Sequence, residues 1–159
     1  VVARARAEHR EATIELDLEN RVPAIRSDAA AIRSAVQNLL ANALKYGGTP
    51  AWARVRVGRT DAAPPELCVT VEDRGPGIDP RDVPHVFEAF YRGTLATERR
   101  APGNGLGLYI VKRSVEALGG RVTLRTETGS GTVVTLYLPL PPATGADNGE
   151  PETPAAGRG

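Results

Sequence analysis

The sequence predicts an α/β fold, a two-layer α/β sandwich in which a mixed sheet carries its helices on one face. Three observations lead there. Stretches in which apolar residues alternate at period 2 interchange with stretches of helical period, without the regular βαβ repeat of a parallel sheet. Two pairs of alternating stretches are joined by short turn-forming segments, and such hairpins require antiparallel neighbours. A chain of 159 residues, 41% hydrophobic and 25% charged, fits one domain that buries roughly 70% of its unfolded surface.

Each element follows from its residues in turn. Val1 to Ala12 is short of turn residues and rich in Ala, Arg and Glu, which suits the end of a helix or a linker. The period then changes, and Thr13-Ile-Glu-Leu-Asp-Leu-Glu alternates as a strand does. Asp28 is placed to cap a helix whose apolar positions Ile32, Val36, Leu39, Leu40, Ala43 and Leu44 recur at helical spacing until Gly47-Gly48 ends it. Ala51 to Val57 and Leu67 to Glu72 alternate on either side of Asp61-Ala-Ala-Pro-Pro, a hairpin turn.

Pro80 to Phe90 has the look of a short, proline-interrupted helix, and Arg92 to Pro102 has no period and is expected to be a loop. Leu106 to Leu118 is helical up to Gly119-Gly120. Arg121 to Thr126 and Thr132 to Leu138 pair across Glu127-Thr-Gly-Ser-Gly as a final hairpin. The folded unit is thus 13–140, and 141–159, with Pro, Gly, Ala and Glu but no apolar face, is expected to be a disordered tail.

Composition excludes several classes. A formal net charge of +1 argues against nucleic acid or an anionic membrane as the main partner. The single Cys68, in an alternating apolar run, cannot form an internal disulfide and reads as core, and two histidines offer no zinc spacing. No continuous apolar run approaches the roughly 18 to 20 residues of a bilayer span, and no signal peptide is evident, so a soluble piece is expected. Without an initiator methionine it reads as an excised domain.

Five ordered blocks carry the chemistry: Asn38-Leu-Leu-Ala-Asn42-Ala-Leu-Lys45-Tyr46, Asp73-Arg-Gly75-Pro-Gly77-Ile78, Phe87-Glu-Ala-Phe90-Tyr-Arg92, Gly103-Asn-Gly105-Leu106-Gly107-Leu108 and Gly129-Ser-Gly131-Thr132. Asn38, Asn42 and Lys45 fall at i, i+4 and i+7 of one helix and share a face. Amide oxygens can ligate Mg²⁺ beside phosphate oxygens, and a lysine meets phosphate as a point charge. Asp73 ends an apolar strand ahead of a sharp glycine turn, and a carboxylate accepts from an adenine amino group but not from a guanine carbonyl. The Gly103 block precedes a helix, so free N–H groups and a positive dipole end face whatever anion approaches. Its spacing is neither that of a P-loop nor that of a dinucleotide fingerprint.

Phe87 and Phe90, the only phenylalanines, stand three apart and on a helix would form one apolar anchor. After them Arg92, Arg99 and Arg100 lie in a segment suited to a lid that brings charge to a γ-phosphate. Gly129 and Gly131 suit the last turn, and His9, His85 and Trp52 suit ordinary surface or packing. Taken singly, a solvated helix face, a turn-capping aspartate and a flexible glycine turn account for these blocks equally well. Their order is what singles them out.

As a set the blocks resemble the catalytic, ATP-binding domain of bacterial sensor histidine kinases, within the wider family of gyrase, heat-shock protein 90 and the mismatch-repair protein MutL. The resemblance spans about Asp28 to Pro139 and implies the Bergerat ATP-binding fold. It implies that Asn42, with Asn38, holds Mg²⁺; that Asn38, Lys45 and Arg92 serve catalysis; and that Lys45 meets phosphate while Tyr46 packs near adenine. Asp73 would read the adenine amino group, with Gly75, Gly77 and Ile78 beside it, and Phe87 and Phe90 would complete the lid's start. Gly103, Gly105, Leu106, Gly107 and Leu108 would form the lid's end, and Gly129 and Gly131 a structural glycine box. The implied cofactors are ATP and Mg²⁺, and the implied partners are a histidine-containing dimerisation domain and, downstream, a response regulator receiver domain. A cytoplasmic domain, of a parent anchored in the inner membrane or not, is implied too.

Two positions refine the resemblance. ATP-hydrolysing relatives carry a glutamate base four residues before the Mg²⁺ asparagine; Asn38 stands there, and an amide cannot take a proton from water as a carboxylate does. That suits a kinase in which γ-phosphate waits for a histidine. The phosphoacceptor pattern, a histidine followed by Glu or Asp and later by proline, is not met by His9-Arg-Glu-Ala-Thr, so the acceptor lies outside this sequence. Alternatives are a non-catalytic ATP- or ADP-sensing module and a serine kinase of the anti-sigma-factor type.

Overall fold

The computed structural model describes residues 1–20, 22, 25, 27–94, 97 and 103–141. Helix α1 (Val2–Glu8) leads into β1 (Thr13–Leu18), and Arg6 ties the two together by donating to the main-chain oxygen of Ile14 at 2.6 and 2.9 Å. Helix α2 (Ala29–Tyr46) follows, then β2 (Trp52–Arg59) and β3 (Glu66–Asp73), the short 3₁₀ turn Val83–His85, α3 (Gly107–Ala117), β4 (Arg121–Glu127) and β5 (Gly131–Pro139). The strands form one sheet in the order β1-β2-β3-β5-β4. Only β1 and β2 run parallel, as the intervening α2 crossover permits, and the other neighbours are antiparallel, so the sheet is mixed as expected.

Alternation along the strands decides which face is covered. Val55 of β2, Leu67, Val69 and Val71 of β3, and Val134, Leu136 and Leu138 of β5 are buried against Val36, Leu39, Leu40 and Ala43 of α2 and Val111 and Val115 of α3. The residues between them point to the opposite face, which polar pairs cover instead. Arg54 bonds Glu15 at 2.8 Å, Arg56 bonds Glu72 at 2.7 Å, and the hydroxyls of Thr70 and Thr135 lie 3.1 Å apart. Such cross-strand pairs contribute little each, but they keep that face compatible with water.

The α2 boundaries are where the sequence places them. The Asp28 carboxylate accepts from the N–H groups of Ala30 and Ala31 at 2.8 and 3.1 Å, satisfying two donors that have no carbonyl within the helix. Trp52 packs as expected and does more: its indole N–H donates to Glu15 at 3.0 Å, and the Arg74 guanidinium lies 3.8 Å from its ring centre.

The expected helix over Pro80 to Phe90 is not there. Backbone bonds close three-residue turns instead, from His85 N to Asp82 O, Glu88 N to His85 O and Tyr91 N to Glu88 O, at 2.9, 2.8 and 3.4 Å. Pro84 has no N–H to donate within the segment, and Phe90 takes a positive φ of 65°. Phe87 and Phe90 therefore share no helix face. Phe90 is 72% exposed, so the single apolar anchor is corrected. Phe87 is half-buried under Lys112, whose Nζ lies 5.9 Å from the ring centre. The tail from 142 onward, and Arg99 and Arg100 in the loop, lie outside the described residues.

Candidate nucleotide-binding site

A cavity of about 400 Å³ opens between α2, the end of β3, the loop that follows it and the start of α3, a size that suits a small-molecule site. Leu39, Val71, Leu124 and Val134 give it an apolar floor. Its polar groups come from all of the first four sequence blocks, which lie far apart along the chain.

From α2 come Asn38, Asn42, Lys45 and Tyr46. The buried stripe Leu39, Leu40 and Ala43 fixes the helix rotation, so the i, i+4, i+7 face has nowhere to turn but the cavity. The Asn38 amide nitrogen donates to the main-chain oxygen of Ser34 at 2.9 Å, which commits that end of the side chain to its own helix. Opposite stands Gly107, the first residue of α3. A Cβ added there would meet Asn42 Nδ2 at 3.5 Å and the oxygens of Asn38 and Asn42 at 3.6 Å. The two asparagine amides thus converge on the start of α3, which has no side-chain cap on its first-turn N–H groups.

Asp73 continues the inward series of Leu67, Val69 and Val71 to the last residue of β3 and so lines the cavity. Burial raises its carboxyl pKa above the ordinary value, partly offset by backbone N–H groups of Gly75 and Thr132. The last hairpin braces the loop behind it: Gly129 N–H donates to Pro76 O at 2.8 Å, and Ile78 N–H donates to the Thr126 hydroxyl at 2.9 Å. Gly131 has φ 100°, and any Cβ there would overlap the main-chain oxygen of Asp73. It holds β5 against the end of β3, which a turn role alone does not capture.

The glycine block adds Gly103, Gly105, Gly107 and Leu108 to the wall, and Gly77, Ile78 and Arg92 join them. Gly105 O accepts from Phe90 N–H at 3.1 Å, which joins the phenylalanine block to the glycine block. Lys45 Nζ lies 4.7 Å from the centre of the Tyr46 ring and beside Gly103. Four of the sequence-predicted residues do not line the cavity: Gly75, Phe87, Phe90 and Leu106. Gly75 instead supports Asp73 from behind.

Asp82 lines the site and escaped the sequence reading, and Thr132, quoted there only as part of the last block, lines it too. Asp82 is 6% exposed and accepts from the Tyr91 hydroxyl and the Thr94 N–H, both at 2.8 Å. Its only sequence signal is an aspartate two residues before a proline, which reads as a turn. Among the described residues, no three of His, Cys, Asp and Glu cluster as metal ligands, so a divalent ion here would rely on amide and phosphate oxygens. Nor is any described helix long and apolar enough to cross a membrane.

The family model described as histidine kinase-, DNA gyrase B-, and HSP90-like ATPase matches residues 27–142. The signal transduction histidine-protein kinase AfsQ2 of Streptomyces coelicolor is 40% identical over 147 residues, covering 92% of this chain and 26% of its own. The chain therefore spans about a quarter of that curated relative. Among solved structures, the mycobacterial sensor histidine kinase MprB is similar at a TM-score of 0.72 and 29% identity, covering 87% of this chain and 88% of that one. Full-length ShkA, solved in complex with AMPPNP, is similar at a TM-score of 0.73 and 28% identity, over 87% of this chain and 28% of that one. The cavity walled by the asparagine face, Asp73 and the glycine-led helix start is thus found on a chain that belongs to the histidine kinase-, DNA gyrase B- and HSP90-like ATPase family.

Proposed function

We propose that this domain binds ATP with Mg²⁺ and transfers the γ-phosphoryl group to a histidine on a dimerisation domain outside the chain, from which a receiver domain takes it. The observation that carries this reading is the convergence of Asn38 and Asn42 on Gly107, with Asp73 in the same cavity. One carboxylate for the base and one amide face beside a free helix start are the chemistry an adenine nucleotide needs at its two ends.

In this reading Asp73 accepts from the adenine amino group, and Gly77, Ile78 and Tyr46 line the base. Asn42, with Asn38, holds Mg²⁺ through amide oxygens, and the ion when bound neutralises phosphate charge. The converging amides fit such a hard cation, which keeps several waters and takes few protein oxygens. Lys45 meets the phosphates, Gly103, Gly105, Gly107 and Leu108 bring main-chain N–H groups toward them, and Arg92 offsets charge on the γ-phosphate. Leu106, Phe87 and Phe90 act from behind the wall.

In the transfer, the bond from the γ-phosphorus to the bridging oxygen breaks, a bond to the histidine nitrogen forms, and ADP leaves. The imidazole proton passes to a base on the acceptor side, since Asn38 is an amide. In the same reading residues 1–12 are the end of a preceding dimerisation helix or a linker, and 13–140 form the kinase unit on the cytoplasmic side. The sensing-module and serine-kinase alternatives are not favoured, as the similar proteins named are histidine kinases.

Calorimetric titration with a non-hydrolysable ATP analogue, with and without Mg²⁺, tests the site. Phosphotransfer to a supplied histidine-bearing helix pair tests the reaction. Absence of Mg²⁺-dependent binding would overturn the proposal.

A further inference from the structure

Asp82 is a buried carboxylate in the site that the reaction above does not use. Its partners straddle Arg92. Asp82 Oδ1 accepts from the Tyr91 hydroxyl at 2.8 Å and from the Thr94 hydroxyl at 3.3 Å, and Oδ2 accepts from the Thr94 main-chain N–H at 2.8 Å. Between these partners, Gly93 comes so close that a Cβ on it would stand 2.8 Å from Asp82 Oδ2. The carboxylate is itself held, because Asp82 N–H donates to Asp79 O at 2.8 Å and Asp82 O accepts from His85 N–H at 2.9 Å.

We propose that Asp82 is a positioning residue for Arg92: its carboxylate clamps Tyr91 and Thr94, and so fixes the backbone from which the guanidinium addresses the terminal phosphate. This rests on the reading of Arg92 as the γ-phosphate contact. An ionised carboxylate accepting several hydrogen bonds in a buried place is stiff, since each bond to a charged acceptor is stronger than a neutral one. The bond to Asp82 is the first cause of the raised pKa of the Tyr91 phenol. Asp82, Tyr91 and Thr94 are not among the residues assigned to the base, so removal of the clamp is expected to act on the third phosphate.

The test compares the affinities of the intact chain for ADP and for a non-hydrolysable ATP analogue, both with Mg²⁺, in wild type, Asp82→Asn, Tyr91→Phe, Arg92→Ala and the Asp82→Asn/Arg92→Ala double variant. Arg92→Ala and Asp82→Asn are each expected to weaken the ATP analogue about tenfold while ADP changes less than about twofold. The double variant should be no weaker than Arg92→Ala, because the clamp acts only through Arg92. If Arg92→Ala loses the preference for ATP and Asp82→Asn keeps it, the clamp is refuted and the phosphate role of Arg92 stands. If Arg92→Ala itself keeps the preference, the reading beneath the clamp falls and the clamp with it. Equal weakening of both nucleotides by Asp82→Asn would show a general structural role and refute positioning. Should Asp82→Asn fail to fold, Tyr91→Phe decides: it retains the carboxylate, and an ATP-selective loss of about threefold supports the clamp, while an unchanged preference overturns it.

Discussion

Asp73 and Gly75 hold one another across the end of β3: the Gly75 N–H donates to Asp73 Oδ1 at 2.8 Å, and a Cβ on Gly75 would overlap the main-chain oxygen of Tyr46. The turn therefore sets the carboxylate's direction while resting on the last residue of α2. Asp73→Asn should keep this turn, because an amide oxygen also accepts, but it loses the charged acceptor for an adenine amino group. ATP affinity is expected to fall about ten- to hundredfold, measured by calorimetry. Full retention would remove the base-reading role.

The same carboxylate makes stability and binding respond to pH in opposite senses. Its folded pKa is raised by burial, so its stabilising contribution is fully present below the unfolded value of 3.8 and is lost as pH rises through the folded pKa. At neutral pH the ionised Asp73 thus costs stability, and Asp73→Asn should melt no lower than wild type by calorimetric scan. ATP binding should instead weaken on acidification, as pH falls through the range of that raised pKa. Binding that is flat across that range would contradict the assignment.

Asn42→Ala should remove the Mg²⁺ dependence of ATP binding and leave the fold intact, since Asn42 lies on the cavity side of α2, away from its buried stripe. Titration with and without the ion checks it. Unchanged Mg²⁺ dependence would sink the metal assignment.

Leu136 is fully buried in β5, an interior strand flanked by β3 and β4, on the face covered by the two packed helices. Leu136→Ala should cost about 2–5 kcal/mol of stability, read from chemical denaturation, because it leaves a cavity in a close-packed layer. A loss below about 1 kcal/mol would mean that the layer repacks.

Gly131→Ala should destabilise by more than the usual surface change, with roughly 1–3 kcal/mol from the positive φ and further loss from overlap with the Asp73 oxygen. Gly129→Ala is a useful companion: its φ is 82° with nothing within 4 Å, so only the backbone conformation is taxed. Equal melting temperatures for the two variants would argue against the contact between Gly131 and Asp73.

Much of the fold was legible because its signals are local. The capping carboxylate of Asp28, the apolar stripe of α2 and the alternation of β2 to β5 lie within short windows, and each element formed close to where its period and stop residues put it. The segment from Pro80 to Phe90 was misread for the same reason: two phenylalanines three apart imitate a helix face, while the bond from Phe90 N–H to Gly105 O that helps set its conformation comes from a distant block.

The sequence by itself determined which residues could meet a nucleotide and on which face of α2 or end of β3 they would stand, because helix and strand periods dictate side-chain direction. Only the tertiary structure decided that Asn38 and Asn42 face Gly107, that Gly131 presses on Asp73, and that Asp82 grips both sides of Arg92. Those are contacts between segments far apart in the chain or across an aperiodic turn. They are fixed by packing the helices on one face of the sheet, and no short window of residues encodes that packing.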